Sequence, residues 1–395
     1  MIAITGVGIL SPAGIGKAGL LQSFAATRPG ISEPAGYGLP YGGITHLAMV
    51  RNFSAKEHIP VMKARRMSRF SRLGVASAIA AVKDSGIAAG DDNCHRFAIA
   101  VGTGLASTDS TDLFYEGLLR EGPEATNPII FPETVQNIAA SHIAMHFGTR
   151  GPNITFSHAD ISSELALFFG AELLKDGLAD IVVVTGADEL SASAIIGYAS
   201  FGMLSNNMRP FDRRRSGFVL GEGGATVILE RLDDARKRKA RVYCTLGAIE
   251  IASYPTPNIS YDMTRLSMER AIEAALAAAD IEAPGFISAC ANGTPDLDRL
   301  EADALVGTVG TSAPVTAYRS YHGYFPGDGI LRVASAALCM ERGILPAVAG
   351  LDQPFEGCRL DLVIGSPRTL RAESALISSF STGGSAAAVV LKKER

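Results

Sequence analysis

The sequence predicts an α/β protein in which one architectural unit is used twice, and three observations point to it. Short runs rich in β-branched residues alternate with Ala- and Leu-rich helical stretches. The order of these segments restarts near residue 241. No Pro- or Ser-rich linker separates the two halves, so they are expected to share one packed interface. The 395 residues, 47% of them hydrophobic, suit about two domains or one duplicated unit.

The first half opens on "MIAITGVGI", an apolar strand running into a Gly/Pro turn, followed by the helical "LLQSFAA". Next come the strand "RFAIAVGTG", the helix "SHIAMHFG", the strand "NITFS", the helix "SELALFFGAELLKDG" and the strand "DIVVVTGADE". Strands this continuously apolar are expected to be covered on both faces. The second half repeats the theme. "RVYCTLGAIEIAS" reads as a strand, "TRLSMERAIEAALAAADI" as an amphipathic helix, and "GFISACANG" and "APVTAYRSYHG" as strands ending in loops. "ILRVASAALCMERG" is helical, "DLVIGSP" and "SALISSFSTGG" are strands with turns, and "AAAVVLKK" closes the chain. The charged stretch "ERLDDARKRKA" (230–240) is the expected joint, giving halves 1–235 and 236–395.

Composition excludes several classes of function. A net charge of -4, from 36 basic and 40 acidic residues, leaves no electrostatic footprint for nucleic acid. The basic "ARKRKARV" (235–242) reads as a solvated helix end. No apolar run reaches the ~18 residues of a membrane span, and the N-terminus lacks the basic leader of a signal peptide. Cys94, Cys244, Cys290, Cys339 and Cys358 are scattered, without a CxxC or a Cys/His pair at metal spacing. Neither disulfides nor a zinc site is expected, and a reducing cytoplasm is the natural setting. His142 and His146 lie four apart on a predicted helix, but no third metal ligand is evident. No metal or cofactor is expected.

"ITFSHADISSELALFFG" (154–170) reads as a strand, a tight turn and an apolar helix. Such an elbow suits a nucleophile, because the helix N-terminus stabilises an anion. The residue placed there is Asp160.

The landmarks "ITGVGILSPAGIG", "RRMSRFSRLGVASAIAAVKDSGI", "RGPNITFS", "GLADIVVVTGADE" and "RPFDRRRSGFVLGEGGATVILE" recur in order along the chain. Through them the sequence resembles the β-ketoacyl synthases, the condensing enzymes of fatty acid and polyketide synthesis. The resemblance implies a thiolase-like fold, a duplicated five-layer αβαβα arrangement with the active site between the halves. It also implies dimers paired through sheet edges. It assigns a Cys to the elbow, where this chain has Asp160. It assigns a His to an Ala-His-Gly-Thr run that reads "CANGTPD", giving Asn292. The Lys and second His fall at Arg319 and Tyr324 of "RSYHGYFPGDG", the following helix Glu at Val333, and the gating Phe at Thr382 of "SSFSTGGSAA". His322 lies two residues early and is not promoted.

Condensation needs an acyl thioester on the enzyme and donors for the developing enolate. Asp160 attacking a thioester would give a less stable anhydride, and its charge would repel a malonyl carboxylate. Neither Asn292 nor Tyr324 exchanges a proton near neutral pH as His does. The three changes together imply that condensation is absent and no catalytic residue is expected. An intact scaffold without its chemistry resembles the chain-length factor, the ketosynthase-like subunit that pairs with an active ketosynthase as a heterodimer. It shapes the growing-chain tunnel and meets the acyl carrier protein through the complex. That subunit usually carries Gln at the elbow, so Asp160 is a departure. The architecture also resembles the corresponding subunits of aryl polyene systems.

An enzyme with altered chemistry, an acyl hydrolase or decarboxylase using Asp160 and Tyr324, is the alternative; a scaffold that binds carrier protein or acyl chain is a third. Asp160 is expected to be an N-cap or first-turn acid satisfied by backbone N–H groups and the helix dipole, to pair with Arg319, or to act as an acid or base. Asn292 and Tyr324 are expected to fill a closed pocket, and His158 to pack in the turn. Tunnel or interface residues are expected in 105–117 and 129–137: Thr108, Thr111, Phe114, Phe131 and Thr134.

Overall fold

The computed structural model describes residues 1–34, 43–256 and 264–394. Its N-terminal half holds five principal strands: β1 (Ile2–Ser11), β2 (Phe97–Gly102), β3 (Asn153–Phe156), β4 (Ile181–Asp188) and β5 (Gly223–Arg231). The C-terminal half holds β6 (Cys244–Ser253), β7 (Phe286–Ser288), β8 (Pro314–Thr316), β9 (Ser374–Phe380) and β10 (Ser385–Lys392). As the apolar runs require, β1, β2 and β9 are buried along their whole length.

The duplication is written into the sheet order. The first half runs β1-β5-β4-β2-β3 and the second β6-β10-β9-β7-β8, which is the same permutation. In both, the first two pairings are antiparallel and the last two parallel. The halves meet where β1 pairs β6, with Ile2 opposite Leu246 and Ile4 opposite Cys244. The charged stretch at the expected joint ends β5 and forms a short helix, Leu232–Lys237, tied back by Arg238 on Glu230.

Eight of the helices that cover and separate these strands bear on the site: α1 (Arg69–Ser85), α2 (Thr108–Glu121), α3 (Ile138–Phe147), α4 (Ser162–Lys175), α5 (Ala192–Ser200), α6 (Thr264–Ala278), α7 (Pro295–Thr308) and α8 (Gly329–Arg342). Helices α1 and α3 pack on the outer face of the first half, α6 and α7 on that of the second. Between the sheets lie α4 and α8, which touch strands of both halves and each other. Helix α8 is buried at every position from Gly329 to Met340, which only a central layer allows. The five-layer thiolase-like arrangement is therefore as expected. Two local readings differ. "RSYH" is a helical turn, Arg319–His322, closed by the Gly323 N–H on the Arg319 carbonyl at 2.9 Å. "DLVIGSP" contributes only the two-residue strand Asp361–Leu362. Among the described residues no helix is long and apolar enough to cross a membrane.

Helices α4 and α8 occupy equivalent places in the two halves, each following the third strand. Their N-termini consequently converge at the centre. The position of α4 depends on Gly102 at the end of β2. A Cβ there would lie 2.5 Å from the carbonyl of Ser162 and from Cα of Ser163. Gly102→Ala must push the first turn of α4 off the sheet. We expect a loss of about 1–3 kcal/mol, read as a lower urea midpoint at unchanged slope. An unchanged midpoint would show that α4 is not seated on this glycine.

Candidate functional site: a buried chain of ion pairs

Strand β3 ends at Phe156, and Ser157, His158 and Ala159 form the exposed outside of the elbow. Ala159 has φ +45°, the left-handed region, which costs a non-glycine residue about 1–2 kcal/mol. This sharp turn carries the next side chain inward, and Asp160 is only 6% exposed. The elbow geometry is thus retained. Of the roles expected for Asp160, the place in the first turn is observed, in the 3-10 turn Ala159–Ile161 that leads into α4, but a cap bond is not. The N-cap of α4 is Ile161, with no side-chain cap bond. Nor does His158 pack inside the turn: it is exposed, its N–H donating to Ser162 Oγ at 2.7 Å and its Nε2 meeting Ser385 Oγ at 3.0 Å.

Asp160 instead begins a chain of ion pairs. Its Oδ1 accepts from Arg319 Nη2 at 3.3 Å. Arg319 donates to Asp328 through Nε at 2.6 Å and Nη2 at 3.0 Å, and through Nη1 to the Cys290 carbonyl at 2.7 Å. Asp328 also accepts from Arg332 Nε at 3.2 Å. Arg332 reaches Glu164 Oε1 at 2.9 Å and the Ser378 carbonyl at 2.6 Å, and Ser379 Oγ bonds both Arg332 and Glu164. Arg319, Asp328, Arg332 and Glu164 are all 0% exposed. Gly329 leaves the space that Glu164 fills, since a Cβ there would lie 2.4 Å from its Oε1. Asp160 and Glu164 stand one turn apart at the start of α4. Asp328 and Arg332 stand in the same relation at the start of α8.

Three carboxyls share two guanidiniums, and their titration differs accordingly. Burial drives the Asp328 carboxyl up, but Arg319 and Arg332 outweigh it and hold it below the ordinary value. Burial dominates at Asp160, raising it despite Arg319 and Tyr324. Burial likewise raises Glu164 against Arg332 and Ser379. Arg319 is desolvated too, yet Asp328 and Asp160 raise it well above the ordinary arginine value, so it stays charged. The carboxyl in the middle of the chain is thus held below its ordinary value, while burial raises the two at its ends.

Tyr324 closes one side. Its hydroxyl bonds the Asp160 carboxyl, and its ring lies 4.9 Å from the Arg319 guanidinium carbon. The ring also packs on Phe218 at 4.2 Å and Tyr198 at 5.7 Å. Asn292 is buried, but its Oδ1 accepts from Thr294 N–H at 3.0 Å and Thr294 Oγ1 at 2.7 Å, so it organises its own loop. Val333 is buried beside Arg332. His322 is fully buried, and burial pushes its imidazole down to about 4, so it is neutral near pH 7. Thr382 is half-buried in a turn followed by Gly383 and Gly384 at φ +91° and +86°. Arg332, Glu164, Asp328 and Ser379 are members of this buried chain that the sequence does not single out. The available signal is a charge every four residues inside apolar helices, in "ADISSE" and "DGILR".

The other expected residues form a separate cluster. Phe131 is 57% exposed and its ring is 5.6 Å from that of the half-buried Phe114. Thr108, Thr111 and Thr134 are half-buried beside them in chain. The hydroxyls of Thr111 and Thr134 bond the backbone carbonyls of Ser107 and Phe131 at 3.3 and 2.8 Å. Around them Leu113, Tyr115, Leu119, Ile129 and Val135 are exposed. Helix α5, which carries Tyr198, packs against α2 and so lies between this face and Tyr324. His142 faces Glu133 rather than His146, with Nε2 2.6 Å from Oε1. Among the described residues no group of three or more His, Cys, Asp or Glu could hold a metal ion.

Comparison with known proteins agrees with this architecture. Residues 1–235 match the family description "Beta-ketoacyl synthase, N-terminal domain" and residues 246–352 match "Beta-ketoacyl synthase, C-terminal domain". The 3-oxoacyl-[acyl-carrier-protein] synthase 2 of Vibrio harveyi is 28% identical over 414 aligned residues, covering 99% of this chain and 98% of that protein. The structure described as the ishigamide ketosynthase/chain length factor superposes with a TM-score of 0.92 at 24% identity, over 100% of this chain and 99% of that one. A type II polyketide acyl-carrier protein in complex with its ketosynthase gives 0.87 at 22% identity, over 100% and 99%. The elbow, the duplicated sheet and the sequence matches together place this chain in the β-ketoacyl synthase family.

Proposed function

We propose that the chain is a non-catalytic ketosynthase-like subunit, a chain-length factor, whose halves 1–235 and 236–395 keep the scaffold and not the chemistry. One observation carries the reading: the place of the nucleophile and its donors is filled by a continuous, buried chain of ion pairs. An acyl group could enter only by displacing charges whose removal one at a time costs about 3–5 kcal/mol. No cysteine lies at the elbow, and Asn292 is committed to its own loop. The fold held in common with a protein described as a ketosynthase/chain length factor is in keeping with this role, and so are the exposed apolar side chains Leu113, Tyr115, Leu119, Ile129, Phe131 and Val135. The implied partner is an active ketosynthase, paired as a heterodimer, with acyl carrier protein serving the complex. A reducing cytoplasm suits its five free cysteines, and an aryl polyene system is our preferred setting. Phe131 and Phe114, with Thr108, Thr111 and Thr134, would line the shared tunnel and its interface. Thr382 would leave this subunit without a gate.

A hydrolase or decarboxylase using Asp160 is the competing reading, favoured only by the raised proton affinity of that carboxyl. Its burial, and its bonds to Arg319 and Tyr324, argue against access by a substrate.

Two outcomes follow. Asp160→Cys alone restores no acyl loading, because Arg319, Asp328, Arg332 and Glu164 still fill the pocket. Intact mass after incubation with an acyl-carrier thioester reads this, and an acyl adduct on the introduced thiol would contradict the reading. The second concerns pH. Burial raises Asp160 above its ordinary value of 3.8, so the folded chain holds this proton more tightly than the unfolded chain. The stability this contributes is fully present below pH 3.8 and is lost as pH rises through the raised value. Wild type should therefore lose urea stability relative to Asp160→Asn as pH rises across that window. Parallel pH profiles would show that folding leaves the proton affinity of Asp160 unchanged.

A further inference from the structure

Glu133 is a carboxylate with 4% exposure in a segment whose neighbours Phe131, Pro132 and Val135 are exposed. A charge is not buried under a surface turn without a reason. Its Oε2 accepts from the Ser68 N–H at 2.9 Å and Ser71 Oγ at 2.8 Å. Ser68 is the N-cap of α1, so the carboxylate sits at the positive end of that helix. Its Oε1 meets His142 Nε2, on α3, at 2.6 Å. Its backbone carbonyl accepts from Ser107 Oγ, at the N-cap of α2. Burial raises this carboxyl, but His142 and the Ser68 and Ser71 donors prevail, and it is held below the ordinary glutamate value.

The side chain therefore fastens the turn Phe131–Thr134 to α1 and α3, while its backbone fastens the turn to α2. Pro132 removes a further degree of freedom from the same turn. What this bracket holds in place is Phe131, a large ring presented to solvent beside Phe114 in the exposed apolar face. A bare phenyl ring on a free surface needs no such anchorage; a ring that must stop a growing chain at a fixed depth does.

We propose that Glu133, with His142, is the positioning residue that sets how far Phe131 projects toward the partner subunit. It is thereby a determinant of product length for a hydrocarbon acyl chain. This rests on the chain-length reading above and adds to it a residue that touches neither chain nor nucleophile.

The test uses the chain co-expressed and co-purified with its ketosynthase, supplied with acyl-carrier and malonyl-carrier thioesters, with products resolved by mass. Glu133→Ala and His142→Ala should both retain the partner and raise the ratio of over-long to native-length product about threefold or more. Glu133→Gln should match wild type, since its oxygen still accepts from Ser68 and Ser71 and its amide donates to His142 in the Nδ1–H tautomer. If Glu133→Ala fails to co-purify, His142→Ala decides the matter. Phe131→Ala separates the two readings. Should Phe131→Ala lengthen the product while Glu133→Ala and His142→Ala leave it unchanged, the positioning role falls and the chain-length reading stands. Should none of the three change it, both fall.

Discussion

Asp328, held between Arg319 and Arg332, is the contact on which the centre of this molecule turns. It is a fully buried carboxylate kept ionised by two fully buried guanidiniums. Each guanidinium then reaches across to a carboxyl on α4 or its leading turn: Arg319 to Asp160, and Arg332 to Glu164. The two halves are thus clamped at the point where a condensing enzyme needs open space. A buried ion pair is a weak argument for net stability, since its desolvation offsets most of its attraction. On the proposed function it bears on access instead, because an acyl chain entering that volume would have to separate the paired charges.

The duplicated topology explains why the charges meet there. Each half sends the helix that follows its third strand into the central layer, and the pseudo-symmetric helices α4 and α8 begin almost against each other. The partial positive charge of two helix N-termini then converges on one spot. Such a place favours an anion whichever residue supplies it. In this chain carboxylates supply it from both helices, Asp160 from one and Asp328 from the other. The strained Ala159 shows that the elbow itself has been kept. What has changed is the group that it delivers.

Much of this is legible in the sequence, and particular residues show where legibility ends. The β-branched runs and their restart near residue 241 anticipate both halves, because buried strands must be apolar on both faces. Asp160 is readable at its elbow, and a bond to Arg319 is among its expected roles. Asp328, Arg332 and Glu164 are not, since Glu164 and Arg332 lie 168 residues apart and only the fold brings them together. The sequence reading puts Asn292 in the pocket, whereas a bond to Thr294 two residues on keeps it in its own loop. It puts His158 inside the turn, yet the left-handed Ala159 leaves that ring outside. Glu133 lies in "FPET", which reads as an ordinary surface turn; its burial depends on Ser68 and Ser71, more than sixty residues away in sequence.

The central claim is that this subunit occupies its own acyl site and leaves acyl transfer to a partner. The most direct measurement is the intact mass of each subunit of the wild-type complex after exposure to an acyl-carrier thioester. The account predicts an acyl adduct on the partner ketosynthase and none on this chain. An adduct on this chain, at Asp160 or elsewhere, would contradict it.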